Sequence, residues 1–221
     1  MKRLYLVLAL ACLATVPALA EDIKDLVSPL KDAMAGEWAT YDATYSNPLG
    51  GAAQQISVKL SVVKVDGANV DVQSEMNLVG TPENRVVTID TSKPFMDSLL
   101  NMAGGPAAQM VTNVKITSSS VEDVDYEHNG KTYKAKKVSL ELTAEMSMTP
   151  GQPGMPVTMT VTSYMSNEVP VNGTIRDDVS IKVSLGGPQP MELTVSQSLK
   201  DCGTGAVLDE DEENGGGSKE E

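Results

Sequence analysis

The chain has 221 residues, with 30 Asp and Glu against 17 Lys and Arg, a formal net charge of −13 at neutral pH. Such a field repels phosphate backbones and anionic headgroups, which argues against a nucleic-acid binder and against simple electrostatic attachment to a membrane. Two cysteines and one histidine leave little material for a disulfide framework or for imidazole chemistry.

The first twenty residues have the three parts of an export signal: Lys2 and Arg3, an apolar run from Leu4 to Thr15, then Val16-Pro17-Ala18-Leu19-Ala20. Small residues at Ala18 and Ala20 suit a signal peptidase, so the cut is expected between Ala20 and Glu21. A lipoprotein signal at Cys12 is the alternative, but Ala9-Leu10-Ala11 matches its recognition box poorly. The run is too short to remain across a bilayer, and no second long apolar stretch follows. The mature chain is therefore expected to be exported, periplasmic or extracellular, with no transmembrane segment. Loss of Lys2 and Arg3 takes the net charge from −13 to −15.

Ile23, Leu26, Val27, Leu30 and Met34 recur at helical spacing, and Ser28-Pro29 offers a cap and first position, so a short helix is expected to begin by Pro29 and end near Gly36. From there the period changes to two. Trp38 to Tyr45 reads as a strand, and Ile56, Val58, Leu60 and Val62, then Val70, Val72, Met76 and Leu78, alternate with polar residues across a turn at Asp66-Gly67-Ala68-Asn69. Val62, Val63 and Val65 break the phase, which predicts a bulge. Arg85 to Asp90 is a further strand, and Pro94 to Met102 a second short helix.

A strand near Val114 to His128 leads into His128-Asn129-Gly130-Lys131, whose Asn-Gly pair predicts a tight primed turn. Val138, Leu140, Leu142, Ala144, Met146 and Met148 then alternate with polar residues. After a loop from Thr149 to Pro156, Val157, Met159, Val161 and Met165 share one face, with Thr158, Thr160, Thr162 and Tyr164 on the other. Val179, Ile181, Val183 and Leu185, then Met191, Leu193, Val195 and Leu199, supply two last strands. The fold class is mainly β: a curved antiparallel meander, a half-barrel or open barrel of about nine or ten strands, with one or two short helices. Residues 1–20 form the leader, 21–202 a single antiparallel domain, and 203–221 an acidic tail expected to be disordered. Only Cys202 remains after cleavage, either as a small semi-buried residue or as a free thiol able to pair with a partner.

Gly36-Glu37-Trp38-Ala39-Thr40-Tyr41, Gly130-Lys131-Thr132-Tyr133 and Ser166-Asn167-Glu168-Val169-Pro170-Val171-Asn172-Gly173 resemble a group of uncharacterised secreted bacterial proteins. That group often shows a Gly-x-Trp-x-x-Tyr start and a late Trp-x-Ser-x-Glu-Val-Pro-x-Gly-Gly segment; here Tyr164 stands where Trp is common and Asn172 where Gly is. More distantly the arrangement is similar to lipoprotein-carrier half-barrels. The resemblance spans residues 36–200 and implies a fold and an envelope location, with an acyl chain held against a concave sheet in the more distant case.

No catalytic constellation is recognisable. His128 flanks a turn and reads as an exposed polar residue, and no Gly-x-Ser-x-Gly elbow is present. Ser28-x-x-Lys31 and Ser61-x-x-Lys64 have a serine and lysine spacing seen in penicillin-binding enzymes. The second lies on a strand, where residues three apart face opposite ways, and the first lacks its partner motifs. Gly130-Lys131-Thr132 lacks the earlier glycine of a phosphate loop. Paired carboxylates for sugar cleavage are possible in so acidic a chain, but one Trp, one Phe and few Tyr make poor sugar platforms. The run from Asp209 to Glu220 places acids like a calcium loop but has Asn214 where Gly is required. No metal site and no cofactor are expected.

Met146-Ser147-Met148, with Met155, Met159, Met165 and Met191, could offer soft sulfur to Cu(I), or form a flexible core. A face rich in Val, Leu and Met and poor in aromatics adapts to a flexible apolar ligand. The ligand-binding candidates are Leu140, Leu142, Met146, Met159, Val161 and Met165. The expected function is a non-catalytic secreted or periplasmic β protein with an apolar small molecule or lipid as ligand. A protein-interaction or envelope structural module, a weakly marked hydrolase and a Met-based Cu(I) binder are the alternatives. N-terminal sequencing of protein isolated from its own envelope is expected to begin at Glu21; a start at Cys12 bearing lipid would show the other signal in use.

Overall fold

Alternation of apolar and polar residues forces one side of each strand out of water, and strands that share this need pair edge to edge. A computed structural model of the chain describes residues 29–46, 52–78, 81–92, 111–147, 154–184 and 190–205. After a 3-10 turn at Pro29–Asp32 come β1 (Glu37–Tyr45), β2 (Gln54–Asp66), β3 (Asn69–Leu78) and β4 (Thr81–Asp90). Then follow β5 (Val111–His128), β6 (Lys131–Met146), β7 (Met155–Met165), β8 (Thr174–Val183) and β9 (Met191–Thr204). The expected helix over 94–102, Met148, Leu185, the leader and the chain beyond residue 205 lie outside the described residues.

The nine strands form one antiparallel sheet in the order β4-β3-β2-β1-β9-β8-β7-β6-β5, an open, curved, mainly β meander of half-barrel type. Two runs of hairpins, β1 to β4 and β5 to β9, are joined by pairing of the first strand with the last. Because all eight pairings are antiparallel, the edge strands β4 and β5 run in the same direction, and Asp90 and Val111 lie at opposite ends of the sheet. The amphipathic segment expected near Pro29 is reduced to one 3-10 turn, with Leu30 buried against the sheet. β9 runs to Thr204, two residues past the boundary placed at Cys202, because Gly203 and Thr204 find partners in Trp38 and Glu37.

Two local features follow the sequence closely. Asn129 (φ 51°) and Gly130 (φ 74°) both have the positive φ that a primed hairpin turn demands. Val63 is the extra residue of a bulge, since Val62 faces Val72 and Lys64 faces Asp71. Beyond the turn, β5 and β6 carry Asp125 opposite Lys134 (2.6 Å), Asp123 opposite Lys136 (2.9 Å) and Glu122 opposite Lys137 (4.0 Å). These exposed pairs contribute little stability but oppose any slip of the hairpin.

The core falls into two clusters. One gathers aliphatic residues of β1 to β3 with Ile89 of β4, Leu199, and Val169, Val171 and Ile175 of the segment before and into β8. It also takes Tyr133 and Ala135, which strand alternation puts on the opposite side of β6 from Val138 and Leu140. The second draws, among the described residues, on β6, β7, β8 and β9 for its buried members. Where β6 meets β7, a Cβ on Gly154 would lie 2.7 Å from Glu145 Cβ and 3.2 Å from the Glu145 carbonyl carbon, so only glycine fits without moving backbone. Gly154→Ala is expected to lower stability by about 1–3 kcal/mol, seen as an earlier urea midpoint with unchanged slope; an unchanged midpoint would show that β7 can retreat freely.

Candidate functional site

Five of the six apolar candidates come together. Leu140 pairs with Val161 and Leu142 with Met159 across β6 and β7, Met159 continues to Ile181 of β8, and Met146 lies at the end of the same face. Leu142 and Met159 are 1% exposed and Ile181 0%, so the cluster is tightly enclosed. Met155 and Met191 pack at its margin. Met165 is placed elsewhere: the pairing of β7 with β8 shifts between Tyr164 and Met165, Met165 faces Thr174, and it joins neither cluster. It keeps the parity of Val161 and the β6 register runs unbroken to it, but it lies past Ser163 at the far end of β7, opposite the exposed Lys136 and away from the other candidates.

Among the described residues the second cluster contains no aromatic side chain. Tyr41 and Tyr133 are buried in the first cluster, and Tyr45, Tyr126 and Tyr164 pack against it. Tyr126 and Tyr164 stack with centroids 4.0 Å apart. Aliphatic residues fill both clusters, whereas the described tyrosine rings all gather at the first and most of the described thioethers at the second.

Between the clusters a polar row crosses the apolar face. Val138 faces Ser163, Ser163 faces Asp177, Asp177 faces Gln197 and Gln197 faces Ala43, each on the next strand from β6 through β7, β8 and β9 to β1. The next row toward the Met-rich end is Leu140, Val161, Val179, Val195 and Tyr45. Ser163 Oγ donates a hydrogen bond to Asp177 Oδ1. Asp177 keeps a little accessible surface as a residue, yet its carboxyl is enclosed, and burial raises its pKa to about 6 despite the Ser163 hydroxyl; nearby Asp178 adds to the rise.

Asp178 points the other way and has the opposite fate. Arg176 Nε (2.7 Å) and NH2 (3.0 Å) and Ser196 Oγ (2.6 Å) all donate to it, and the Arg176 guanidinium chiefly holds its pKa below the usual carboxylate value. Adjacent acids are divided by the pleat of β8: one is fully bonded outside, one half-bonded inside.

The three segments that carry the sequence resemblance meet at the ring-bearing end. Tyr41 OH donates to Asn172 Oδ1 (2.5 Å), which also accepts from Thr174 N (3.2 Å). Lys131 Nζ lies 3.0 Å from Glu168 and 4.4 Å from the Tyr133 ring centroid. Ser166 Oγ donates to Lys134 O (2.9 Å), and Ser166 N to Gly173 O (2.8 Å). Burial, and secondarily the charge of Asp177, raises the Tyr41 pKa well above its ordinary value, so its hydroxyl stays a donor. Val171 is held at φ 72°, a costly conformation for a β-branched residue, and is 1% exposed.

Other residues singled out in the sequence make the following contacts. His128 is partly buried, contrary to the exposed position expected of a turn flank, because the long hairpin reaches β9 and His128 Nε2 donates to Leu199 O (2.6 Å). Asn129 Nδ2 donates to the same oxygen (3.2 Å). Lys131 serves Glu168 rather than a phosphate. Cys202 is half-buried, and burial raises its thiol pKa, with Asp201 adding to the rise. Among the described residues no three His, Cys, Asp or Glu side chains group as a metal site, and no helix is long and apolar enough to cross a membrane.

No protein-family model and no curated protein sequence matches the chain. Among solved structures it is similar to a chain from Parabacteroides distasonis provisionally named a lipoprotein, at 10% identity and TM-score 0.39, over 81% of this chain and 100% of that one. It is also similar to a Vibrio parahaemolyticus domain provisionally named an outer membrane lipoprotein-sorting protein, at 11% identity and TM-score 0.26, over 81% and 89%. Likeness at this level carries no functional argument.

Because the folded Asp177 binds its proton more tightly than the unfolded chain does, folding is favoured as pH falls from about 6 toward 3.8 and disfavoured above that window. The thermal midpoint is expected to be higher near pH 5 than near pH 7.5, and Asp177→Asn to raise the midpoint at the higher pH and flatten the slope. An unaltered slope in the variant would mean that Asp177 is hydrated when ionised.

Proposed function

We propose that the chain is an exported, non-catalytic β protein of the cell envelope that holds an apolar or lipid-like ligand against the Met-rich end of its sheet. The observation that supports this reading is the composition of the second cluster: Leu140, Leu142, Met146, Met159 and Val161 form one patch with other aliphatic residues and, among the described residues, no ring. Unbranched thioethers change rotamer cheaply, so such a patch accommodates a flexible chain more readily than a ring-filled core does. Met165, outside the patch, is not part of the proposed lining. Export rests on the leader at residues 1–20 and extends to either the periplasm or the exterior.

The near-complete enclosure of Leu142, Met159 and Ile181 means that a ligand shares or displaces side-chain packing rather than resting in an open groove. The same enclosure favours a second reading, a protein-interaction or envelope structural module in which the patch is permanently filled. Native mass spectrometry of protein purified from its own envelope separates the two. A lipid-mass adduct, with a lower thermal midpoint after organic extraction, is the expected result, since a ligand bound only to the folded state stabilises it. A clean polypeptide mass and an unmoved midpoint would leave the second reading standing.

A further inference from the structure

We infer that Ser163, Asp177 and Gln197 form the head-group site of the proposed ligand face, and that this site takes an amphiphile with a neutral, hydroxyl-bearing head, such as a monoacylglycerol, in preference to a fatty acid. The inference rests on reading the Met-rich patch as a ligand face.

The three residues stand side by side on β7, β8 and β9, each opposite the next. At about 4.8 Å between neighbouring strands the row is roughly 10 Å wide, room for a glycerol unit with a hydrogen bond at either side. It borders the row of Leu140, Val161, Val179 and Val195, so a chain lying on the patch brings its polar end to this line.

Hydrogen bonding then selects the head. Asp177 Oδ1 takes the Ser163 hydroxyl, whereas Asp177 Oδ2 and the Gln197 side-chain amide have no partner among the described residues. The Asp177 carboxyl is enclosed and Gln197 is partly buried beside it, and polar atoms withdrawn from water are nearly always satisfied, by protein, water or ligand. The pair offers an acceptor beside a group that both donates and accepts. A hydroxyl meets both, giving its proton to Asp177 Oδ2 and accepting from Gln197 Nε2, and a vicinal diol does so twice.

A carboxylate head supplies acceptors only and sets a second negative charge against Asp177, in a protein whose net charge is already −13. An ammonium head supplies donors only and leaves the Gln197 N–H groups unmet. The charged groups nearest the row are few. Asp178 and Arg176 on β8 pair with each other on the far side, and Tyr41 on β1 stays protonated. Asp177 therefore sets the local charge.

Calorimetric titration of the full mature protein with 1-monomyristoylglycerol, myristate and tetradecylamine, each below its aggregation threshold, tests the assignment. At about pH 7.5 the glycerol ester is expected to bind about tenfold more tightly than myristate. Asp177→Asn, with circular dichroism matching the wild type, is expected to erase most of that preference by admitting myristate. Gln197→Leu is expected to weaken the ester severalfold while leaving myristate unchanged. At about pH 5, where Asp177 takes up its proton, the wild-type preference is expected to narrow. Equal binding of ester and myristate that neither variant alters would overturn the head-group site and leave the apolar face intact. Tetradecylamine binding tighter than the ester, and lost in Asp177→Asn, would overturn the hydroxyl assignment. Binding of none of the three would remove the ligand face and the head-group site together.

Discussion

The pairing of β1 with β9 is the contact on which the rest depends. Without it the chain would be two separate ribbons, each with a greasy side and neither able to hide it. With it the two runs of hairpins become one nine-stranded sheet, and the polar row ends at Gln197 on β9 against the core residue Ala43 on β1. The pairing is not perfectly regular. Lys200 has no opposite number between Tyr41 and Thr40, and this extra residue keeps Leu199 and Cys202 on the same side as Tyr41 and Ala39. The bulge also sits beside Leu199 O, where His128 and Asn129 dock from the long hairpin. One irregularity thus serves both the join between the chain's ends and the seat for a distant turn.

Enclosing polar groups on an otherwise apolar face costs free energy, and the Ser163, Asp177 and Gln197 row bears that cost in the middle of the sheet. The ionised form of Asp177 is disfavoured by its surroundings, whereas Asp178, one residue on, is favoured by three donors. A sheet built for stability alone would have apolar residues at all three places, as the rows on the Met-rich side do. That contrast makes the row the most informative feature of the interior.

The ring-bearing end is built differently. Its contacts link residues far apart in sequence, Tyr41 to Asn172 and Lys131 to Glu168, and they fix a tight segment in which Val171 is held with positive φ. Burial of Val169 and Val171 in the first cluster offsets that strain. Rigidity gathers at this end, adaptable side chains at the other.

Period-two alternation needs only neighbouring residues, so the strands, the Asn129-Gly130 turn and the bulge at Val63 were legible along the chain without knowledge of the fold. The apolar parity of Leu140, Leu142, Met146, Met159 and Val161 was equally legible. The polar row was legible in principle: Asp177 shares the parity of Ile175 and Val179, Ser163 that of Val161, and Gln197 that of Val195. Its meaning was not, because one polar residue in each of three strands becomes a row only when register sets them side by side. Met165, of the same parity, falls outside the patch because the apolar run of β7 ends before it at Ser163, and tertiary contact brought His128 under cover. Which strand joins the chain's ends, which acid faces inward beside which partner, and where the rings gather are relations between distant residues. Only the folded sheet, through backbone pairing across long sequence separations, decided them.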